Sequence, residues 1–211
     1  MLGMRCWDGD MPQSAVRPST DSAEVHVLFS GYVDTDRSPW SVASTVTYVR
    51  DDDAHVIVDP GFVPGPASIL EPLQERGVRP QDITDVVFSH HHPDHTVNAA
   101  LFPNARLHDH WAIYRNDTWQ MRPAEGFELS GSIRLIETPG HTPQDVTTLI
   151  GTADGVVALT HLWWTRLGPA EDPFASDSAA IHAGRARVLG IAAMIIPGHG
   201  EPFTADATTP R

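Results

Sequence analysis

The chain has a single cysteine, Cys6, in 211 residues, and this scarcity excludes an intramolecular disulfide framework. Few cysteines fit a reducing compartment. No apolar run approaches the roughly 18 residues that a membrane span requires, and the N-terminus has no apolar stretch of signal-peptide type. The sequence therefore predicts a cytoplasmic protein without a membrane segment, in which Cys6 is neither a metal ligand nor a nucleophile.

Basic residues are also scarce. Lysine and arginine together number 14 against 27 aspartates and glutamates, and the formal net charge is -13 at pH 7. Proteins that bind a polynucleotide backbone usually present a basic face, so a nucleic acid is not the expected partner. The expected partner is a small-molecule substrate. It can be anionic despite the negative net charge, because a bound metal ion can dominate the electrostatic potential at the site. The sequence does not indicate an oligomeric state.

Length and composition predict one domain. An apolar fraction of 41% with 19% charged residues is typical of a globular protein, and 211 residues suffice for one well-buried core. We expect that domain over residues 23–205. A polar, Pro- and Ser-rich flexible extension would precede it at residues 1–22, and a short C-terminal tail would follow at residues 206–211.

Hydrophobic patterning predicts more strands than helices, interleaved along the chain. The predicted strands are Glu24–Ser30, Ser44–Val49, His55–Val58, Asp85–Phe88, Ala105–His108, Ile133–Glu137, Thr147–Ile150, Val156–Thr160 and Met194–Ile196. Helices are predicted at Ala67–Glu75, despite Pro72, and at Asp177–Leu189. Two segments, Trp111–Ser132 and Leu162–Ser176, lack a clear pattern and are long for connections, which is typical of functional or disordered loops.

A cluster of the form H-x-H-x-D-H directly follows one predicted strand and contains His90, His92, Asp94 and His95. Burying several such side chains within six residues is costly unless a divalent metal neutralises or coordinates them. In an extended segment residues two apart face the same way, so His90 and His92 can converge on one metal. Asp94 and His95, at the junction with a helix, can point to a second position.

Two further histidines each follow a predicted strand and a Pro-Gly turn. His141 stands in Thr138-Pro139-Gly140-His141 and is the natural third imidazole for the first position. His199 stands in Pro197-Gly198-His199 and suits the second position. The sequence thus predicts a site that is assembled from separate loops.

These residues, in this order, resemble the signature of the metallo-β-lactamase fold superfamily, and the resemblance spans roughly residues 24–203. It implies an α+β fold, a single-domain, four-layer αββα sandwich with metals at one edge between two sheets. It also implies that His90, His92 and His141 bind a first metal, and that Asp94, His95 and His199 bind a second. Asp59, in Val58-Asp59-Pro60-Gly61, would orient a ligand histidine through its far ring nitrogen.

One residue departs from the family's pattern. Most di-metal hydrolases of this family carry an aspartate that bridges the two ions after the strand preceding the last histidine, whereas His161 follows Val156–Thr160 here. A neutral imidazole has one lone pair and cannot bridge, although it can ligate the second metal alone. Hydrogen bonding to a ligand, or no role, stays open for His161. We hypothesise that the lost carboxylate weakens the second metal position or favours an anionic substrate.

The segment after His161 contains Trp163, Trp164 and Arg166, which we regard as candidates for a substrate pocket. Tryptophans pack a core or line a pocket, and both alternatives stay open. Arg166 and Arg115 are the cations that could meet an anionic group.

The resemblance implies a hydrolase in which metal-bound hydroxide attacks the substrate and Asp94 orients it and carries a proton. An imidazole-rich site with a carboxylate suits zinc, as one or two ions, with iron as the main competitor and manganese after it. The expected substrate is an ester, lactone or thioester of a small intracellular metabolite. Two alternatives stay open: a phosphodiesterase or nuclease of the same fold, and a non-hydrolytic iron oxidoreductase or sensor.

Overall fold

The computed structural model describes residues 23–211, so the predicted extension at residues 1–22, with Cys6, lies outside the described residues. The strands are β1 (Glu24–Phe29), β2 (Tyr32–Asp34), β3 (Ser41–Ala43), β4 (Val46–Asp51), β5 (Ala54–Val58), β6 (Asp85–Val87), β7 (Arg106–His108), β8 (Ala112–Arg115), β9 (Thr118–Met121), β10 (Ile133–Glu137), β11 (Val146–Thr152), β12 (Gly155–Thr160) and β13 (Met194–Pro197). The α-helices are α1 (Ala67–Glu75), α2 (Pro93–Thr96) and α3 (Ser178–Leu189).

Two larger sheets and a small hairpin make up the β structure of residues 23–211. One sheet has seven strands in the order β1-β4-β5-β6-β7-β8-β9, and the other has four in the order β10-β11-β12-β13. β2 pairs only with β3. Strands β5, β6 and β7 run parallel, as do β12 and β13, whereas the other neighbours are antiparallel.

The two sheets pack face to face through buried aliphatic side chains, and each carries a helix on its outer face. The shared core includes Val49, Val58 and Val87 from the first sheet and Leu135, Ile150 and Leu159 from the second. α1 packs on the first sheet through Ile69 and Leu73. α3 packs on the second through Ile181 and Val188. This four-layer arrangement confirms the predicted αββα sandwich.

All nine predicted strands and both predicted helices are present, with ends that differ from the prediction by at most two residues. α1 continues through Pro72, and Asp177 caps α3 by accepting the backbone N–H of Ala180 at 3.0 Å. No sequence pattern marks the hairpin β8–β9 inside the segment Trp111–Ser132. All four residues of β9 are exposed, so this strand has no apolar alternation to detect.

The last six residues, predicted as a tail, pack against the second sheet's helical face. The indole N–H of Trp163 donates to the Pro210 carbonyl oxygen at 2.8 Å, and Thr209 is buried. Residues 206–211 therefore belong to the packed structure. Within residues 23–211 no helix is long and apolar enough to cross a bilayer.

The topology brings the chemistry-bearing loops to one edge of the sandwich. Asp59 follows β5 and the H-x-H-x-D-H cluster follows β6, and these two strands are parallel neighbours. His161 follows β12 and His199 follows β13, which are also parallel neighbours. Because the carboxyl ends of parallel strands meet at the same edge of a sheet, these loops converge there.

Candidate metal centre

The predicted ligand residues are brought together in space. Within residues 23–211, three groups of potential metal ligands have donor atoms within 4.8 Å of one another: His90, His92 and His141; His90, His95 and His161; and Asp94, His95 and His199. Six imidazoles and one carboxylate therefore surround a common volume. Their grouping reproduces the two ligand sets expected from the sequence, with His161 between them.

In the first group the ring nitrogens stand at the spacing that a tetrahedral ion requires. His90 Nε2 lies 3.0 Å from His92 Nδ1, which lies 3.2 Å from His141 Nε2. Two nitrogens that each bind zinc at 2.0–2.1 Å with a tetrahedral angle are roughly 3.3 Å apart. The spacing of these three nitrogens therefore fits a single small divalent ion.

The second group is similar but includes a carboxylate. His199 Nε2 lies 3.4 Å from His95 Nε2 and 3.1 Å from His161 Nε2. Asp94 Oδ2 lies 3.5 Å from His95 Nε2 and 3.8 Å from His199 Nε2. This second position thus offers up to three imidazoles and one carboxylate oxygen.

Hydrogen bonds on the far ring nitrogens determine which nitrogen faces the centre. His199 Nδ1 lies 2.9 Å from the Ala43 carbonyl oxygen, which can only accept, so Nδ1 carries the proton and Nε2 is free to ligate. His141 Nδ1 donates to Asp172 Oδ2 at 2.7 Å, and His95 Nδ1 donates to Asp59 Oδ2 at 2.8 Å. Such outer partners fix the ring orientation and raise the basicity of the ligating nitrogen.

Asp59 has the expected position and ties two ligand-bearing loops together. Its Oδ1 accepts the backbone N–H of Ser89 at 2.7 Å, while its Oδ2 accepts from His95. Gly61, two residues later, lies against the backbone of Asp94 so closely that a Cβ there would collide with it. The Val58-Asp59-Pro60-Gly61 element therefore sets the position of the loop that carries Asp94 and His95.

Burial favours the neutral form of three of these rings, those of His90, His161 and His199. Burial, followed by the neighbouring imidazoles, holds the pKa of His90 and of His161 well below 6.5. Burial and the charge of His95 lower the pKa of His199 to about 4. For His95, burial lowers the pKa but the Asp59 carboxylate outweighs it, and the pKa is raised. Neutral imidazoles are the form that binds metal, so the lowered pKa of His90, His161 and His199 favours ligation by these three rings.

His161 differs from the other buried rings because its Nδ1 has no hydrogen-bond partner among the described residues. Its ring centroid lies 4.5 Å from that of His90, 4.3 Å from His141 and 5.1 Å from His199. A Cβ at Gly198 would collide with the His161 ring, so the glycine leaves room for this imidazole. The ring therefore occupies the space between the two groups.

The loop between His161 and α3 is held by a buried arginine. Arg185 on α3 donates to the carbonyl oxygens of Leu162, Pro169 and Ala170 at 2.9, 2.7 and 2.7 Å. Three hydrogen bonds to carbonyls at the start and in the middle of this loop restrict its path. Because the same loop continues to Asp172, Arg185 also contributes to the position of the carboxylate that His141 contacts.

A cleft with apolar walls opens above the clusters. Besides His92, Asp94, His141, His161 and His199 at its base, it is lined by Val33, Trp40, Val42, Trp164 and Phe174. Trp164 therefore lines the cleft, as the sequence predicts. Trp40, Val33 and Val42 belong to the β2–β3 hairpin and its loop, and no sequence motif marks them.

Trp163 and Arg166 are corrections to the expected pocket. Trp163 is fully buried in the core beneath α3, whereas its neighbour Trp164 lines the cleft. Arg166 lies on the surface and pairs with Asp206 at 2.7 Å. Neither residue lines the cleft. Asp172, which the sequence analysis does not single out, contacts a predicted ligand instead.

Replacing Asp172 by asparagine is expected to weaken metal binding at the first position by about 10- to 100-fold. Asp172 Oδ2 accepts from His141 Nδ1 and from the Trp164 indole N–H, and its Oδ1 accepts the Phe174 backbone N–H. An asparagine amide has a single acceptor oxygen, so it cannot accept both from the His141 and Trp164 N–H groups and from the Phe174 backbone N–H. Competition titration of zinc against a chelating dye measures the change.

Asp206→Asn is the matched control, since this aspartate lies on the surface and pairs with Arg166. It should leave the zinc affinity unchanged. Equal zinc affinity in the Asp172→Asn and Asp206→Asn proteins would show that the His141–Asp172 hydrogen bond does not support a metal ligand.

The chain belongs to the metallo-β-lactamase superfamily: the sequence model of that family matches residues 40–162. With this fold and this cluster of potential ligands, the protein is a metallo-hydrolase of that family, as the sequence predicts. It is similar to Metallo-beta-lactamase domain-containing protein 1 of Xenopus laevis, with 33% identity over 188 residues that cover 85% of this chain and 80% of the relative.

Two solved structures share the fold. A protein of Thermotoga maritima that is named as a metallo-beta-lactamase superposes with a TM-score of 0.72 at 23% identity, covering 87% of this chain and 100% of that one. An N-acyl homoserine lactone hydrolase superposes with a TM-score of 0.62 at 16% identity, covering 86% and 94%. At these identities the superpositions support the αββα fold alone.

Proposed function

We propose that this metallo-hydrolase cleaves an ester, lactone or thioester of a small metabolite. The observation that carries the proposal is the spacing of 3.0–3.4 Å between neighbouring imidazole nitrogens at the base of a cleft with apolar walls. Sites for small organic substrates are largely apolar with a few placed polar groups.

Zinc is the metal that this donor set suits best, with iron as the alternative and manganese after it. His90, His92 and His141 would hold a first ion. Asp94, His95, His161 and His199 would hold a second, with one carboxylate in the set. We infer that the second position is the weaker of the two, because no bridging carboxylate links it to the first.

The chemistry that zinc supplies when bound is acidification of a water, whose pKa falls to about 7, and polarisation of a carbonyl oxygen. Asp94 lines the cleft and is partly accessible, so its carboxylate can orient the attacking water and carry its proton towards the leaving group. The buried rings of His95 and His199 beside Asp94 hold that carboxylate in place and exclude bulk water from one side. No side chain of the cluster is required as a covalent nucleophile.

Two structural neighbours that share the fold are named as lactone hydrolases, and we take their reaction as a guide to the one proposed here. One is an N-acyl homoserine lactone hydrolase with N-hexanoyl-L-homoserine bound at its catalytic metal center, and another is a dizinc quorum-quenching lactonase. Lactone hydrolysis on the same fold favours carboxylic ester chemistry for this chain as well.

The phosphodiesterase alternative lacks a cationic rim. Arg115 and Arg166 are the arginines that it would use, and neither lines the cleft. Arg166 instead pairs with Asp206, and Arg115 lies on the hairpin β8–β9. Any attraction for a phosphate would therefore depend on the metals alone.

A substrate panel tests the proposal. The protein is stripped with a chelator, reloaded separately with zinc, iron or manganese, and assayed with p-nitrophenyl acetate, a γ-lactone, a small thioester and bis-p-nitrophenyl phosphate. We expect turnover of at least one carboxylic ester, lactone or thioester that chelation abolishes and zinc restores. The His92→Ala protein serves as the control for contaminating hydrolases and should be inactive throughout.

Hydrolysis of the phosphodiester in preference to every carboxylic substrate would contradict the proposal. Activity with iron alone, accompanied by consumption of dioxygen, would instead favour the non-hydrolytic alternative. Metal content by elemental analysis of protein purified without added metal accompanies the assay and distinguishes the two.

A further inference from the structure

Three aromatic side chains form one wall of the cleft, and we call Trp40, Trp164 and Phe174 the aromatic wall. Phe174 stacks on Trp164 with ring centroids 5.8 Å apart and planes 10° from parallel. Trp40 meets Phe174 edge-on at 6.0 Å. Trp40 and Phe174 are 52% and 58% exposed, so both rings are accessible to a molecule that enters the cleft.

The aromatic wall is attached to the metal centre on one side. The Trp164 indole N–H donates to Asp172 Oδ2 at 3.1 Å, and the same oxygen accepts from His141 Nδ1. Trp164 is therefore held rigidly beside a predicted ligand. Trp40 lies in the loop between β2 and β3. The aromatic wall is therefore built from two parts of the chain, and its Trp164 side is hydrogen-bonded next to the metal centre.

The size of the cleft limits what the aromatic wall can hold. Its volume is about 190 Å³. An apolar cavity of roughly 150 Å³ accommodates a benzene molecule. The space therefore suits a group of about one six-membered ring, and a long acyl chain would extend beyond it into solvent.

The charge of the lining limits the substrate as well. The ten lining residues include no arginine, and the chain contains no lysine at all. A carboxylate or phosphate at the wall would lose its hydration without gaining a cationic partner. The apolar part of the substrate that enters the wall is therefore uncharged.

We propose that the aromatic wall selects substrates whose acyl group carries one uncharged, ring-sized apolar substituent, such as a phenylacetyl group. This inference rests on the proposed function. The ring would pack against Trp40 and Phe174 and place the acyl carbon above His92, Asp94 and His141. Hydrolysis breaks the bond from that carbon to oxygen or sulfur, transfers the hydroxyl of water to the carbon, and transfers the proton to the leaving group.

A series of S-ethyl thioesters with one leaving group tests the selection. The acyl groups are acetyl, phenylacetyl, decanoyl and succinyl, and release of ethanethiol is followed with a thiol reagent on the zinc-loaded protein. We expect the kcat/KM for phenylacetyl to exceed that for acetyl by roughly tenfold or more, as hydrophobic pockets typically discriminate. The kcat/KM values for the decanoyl and succinyl thioesters should both be lower than that for the phenylacetyl thioester.

Variants of the aromatic wall connect the preference to these residues. In Trp40→Ala and Phe174→Ala proteins the ratio of phenylacetyl to acetyl kcat/KM should fall to within about threefold of unity, because the ring loses its packing surface. Trp119→Ala is the matched control. Trp119 is also an exposed tryptophan, at 59%, but it lies on β9 away from the cleft, so the ratio should match that of the unchanged protein.

Binding of the product acids separates this inference from the proposed function. Calorimetry with the zinc-loaded protein should show tighter binding of phenylacetate than of acetate or succinate, and Trp40→Ala should remove the difference. If no ester, lactone or thioester of the substrate panel or of this series is turned over but this binding pattern is found, the proposed hydrolysis of carboxylic substrates fails and the selection by the aromatic wall stands. Equal binding or turnover across the series, or a preference that survives in both wall variants, would overturn the inference.

Discussion

Replacement of Asp94 by asparagine is expected to lower kcat for the best carboxylic substrate by about 100- to 10,000-fold, the range for loss of a positioned proton-transfer group. Asp94 contributes the one carboxylate among the clustered ligands and also lines the cleft. Asparagine keeps the size of the side chain but can neither accept a proton at neutral pH nor supply a negative charge to the second ion. Steady-state kinetics of zinc-loaded protein measures the loss.

The Asp94→Asn protein should fold normally, because the backbone contacts of this loop do not use the carboxylate. Phe62 N–H donates to the Asp94 carbonyl oxygen at 2.9 Å, and this bond is unaffected by the change. Asp154→Asn, in the exposed turn between β11 and β12, is the control and should keep full activity. If the Asp94→Asn protein retained more than half of the activity, Asp94 would have no part in the reaction.

Replacement of His161 by aspartate is expected to tighten binding of the second metal by at least about tenfold. The new carboxylate would lie in the space between the two ligand groups and lower the net charge of the site by one unit. Unit charges 4 Å apart interact by about 4 kcal/mol at an effective dielectric constant of 20, which is well above a tenfold effect. Titration with zinc, monitored by calorimetry and by a competing chelator, gives both affinities and the stoichiometry.

His161→Asn is the matched control, since it removes the imidazole without adding charge. Its second metal should bind no more tightly than in the unchanged protein. Equal zinc affinities for the Asp and Asn variants would contradict the view that a missing bridging carboxylate weakens the second position. Loss of the first metal in either variant would show that His161 belongs to the first group instead.

The sandwich is predictable from the sequence because its strands have a buried face. β12, for example, carries four consecutive apolar residues, Val156 to Leu159, all of them buried, and such a run fits a sheet that is covered on both faces. The hairpin β8–β9 is not predictable in this way, since it lies at the sheet edge with β9 exposed on both faces. Local periodicity reports burial, and where burial is absent the pattern disappears.

The metal cluster is predictable for a different reason. Histidines at H-x-H-x-D-H spacing and after two Pro-Gly turns have no common packing role, so chemistry is the remaining explanation. The residues around the cluster have no such mark. Asp172 contacts His141 across 31 positions of sequence, and Trp40 reaches the cleft from a separate hairpin. Such contacts arise from tertiary packing, and a single sequence does not encode them in a local motif.

Trp163 and Trp164 illustrate the limit of reasoning from residue type. Both follow His161 directly, yet one is fully buried under α3 and the other lines the cleft. Their order is decided by the direction of the chain as it leaves β12 and by the Trp163–Pro210 hydrogen bond. Sequence analysis identifies the segment correctly but not the side chain that faces the substrate.

Anomalous diffraction from crystals of the protein purified without added metal tests the central claim most directly. Data collected at the zinc and iron absorption edges identify the ion and its position. The account predicts an anomalous peak about 2.0–2.1 Å from His90 Nε2, His92 Nδ1 and His141 Nε2. A well-ordered structure without a peak there, in which these nitrogens are hydrogen-bonded only to water or protein, would contradict it.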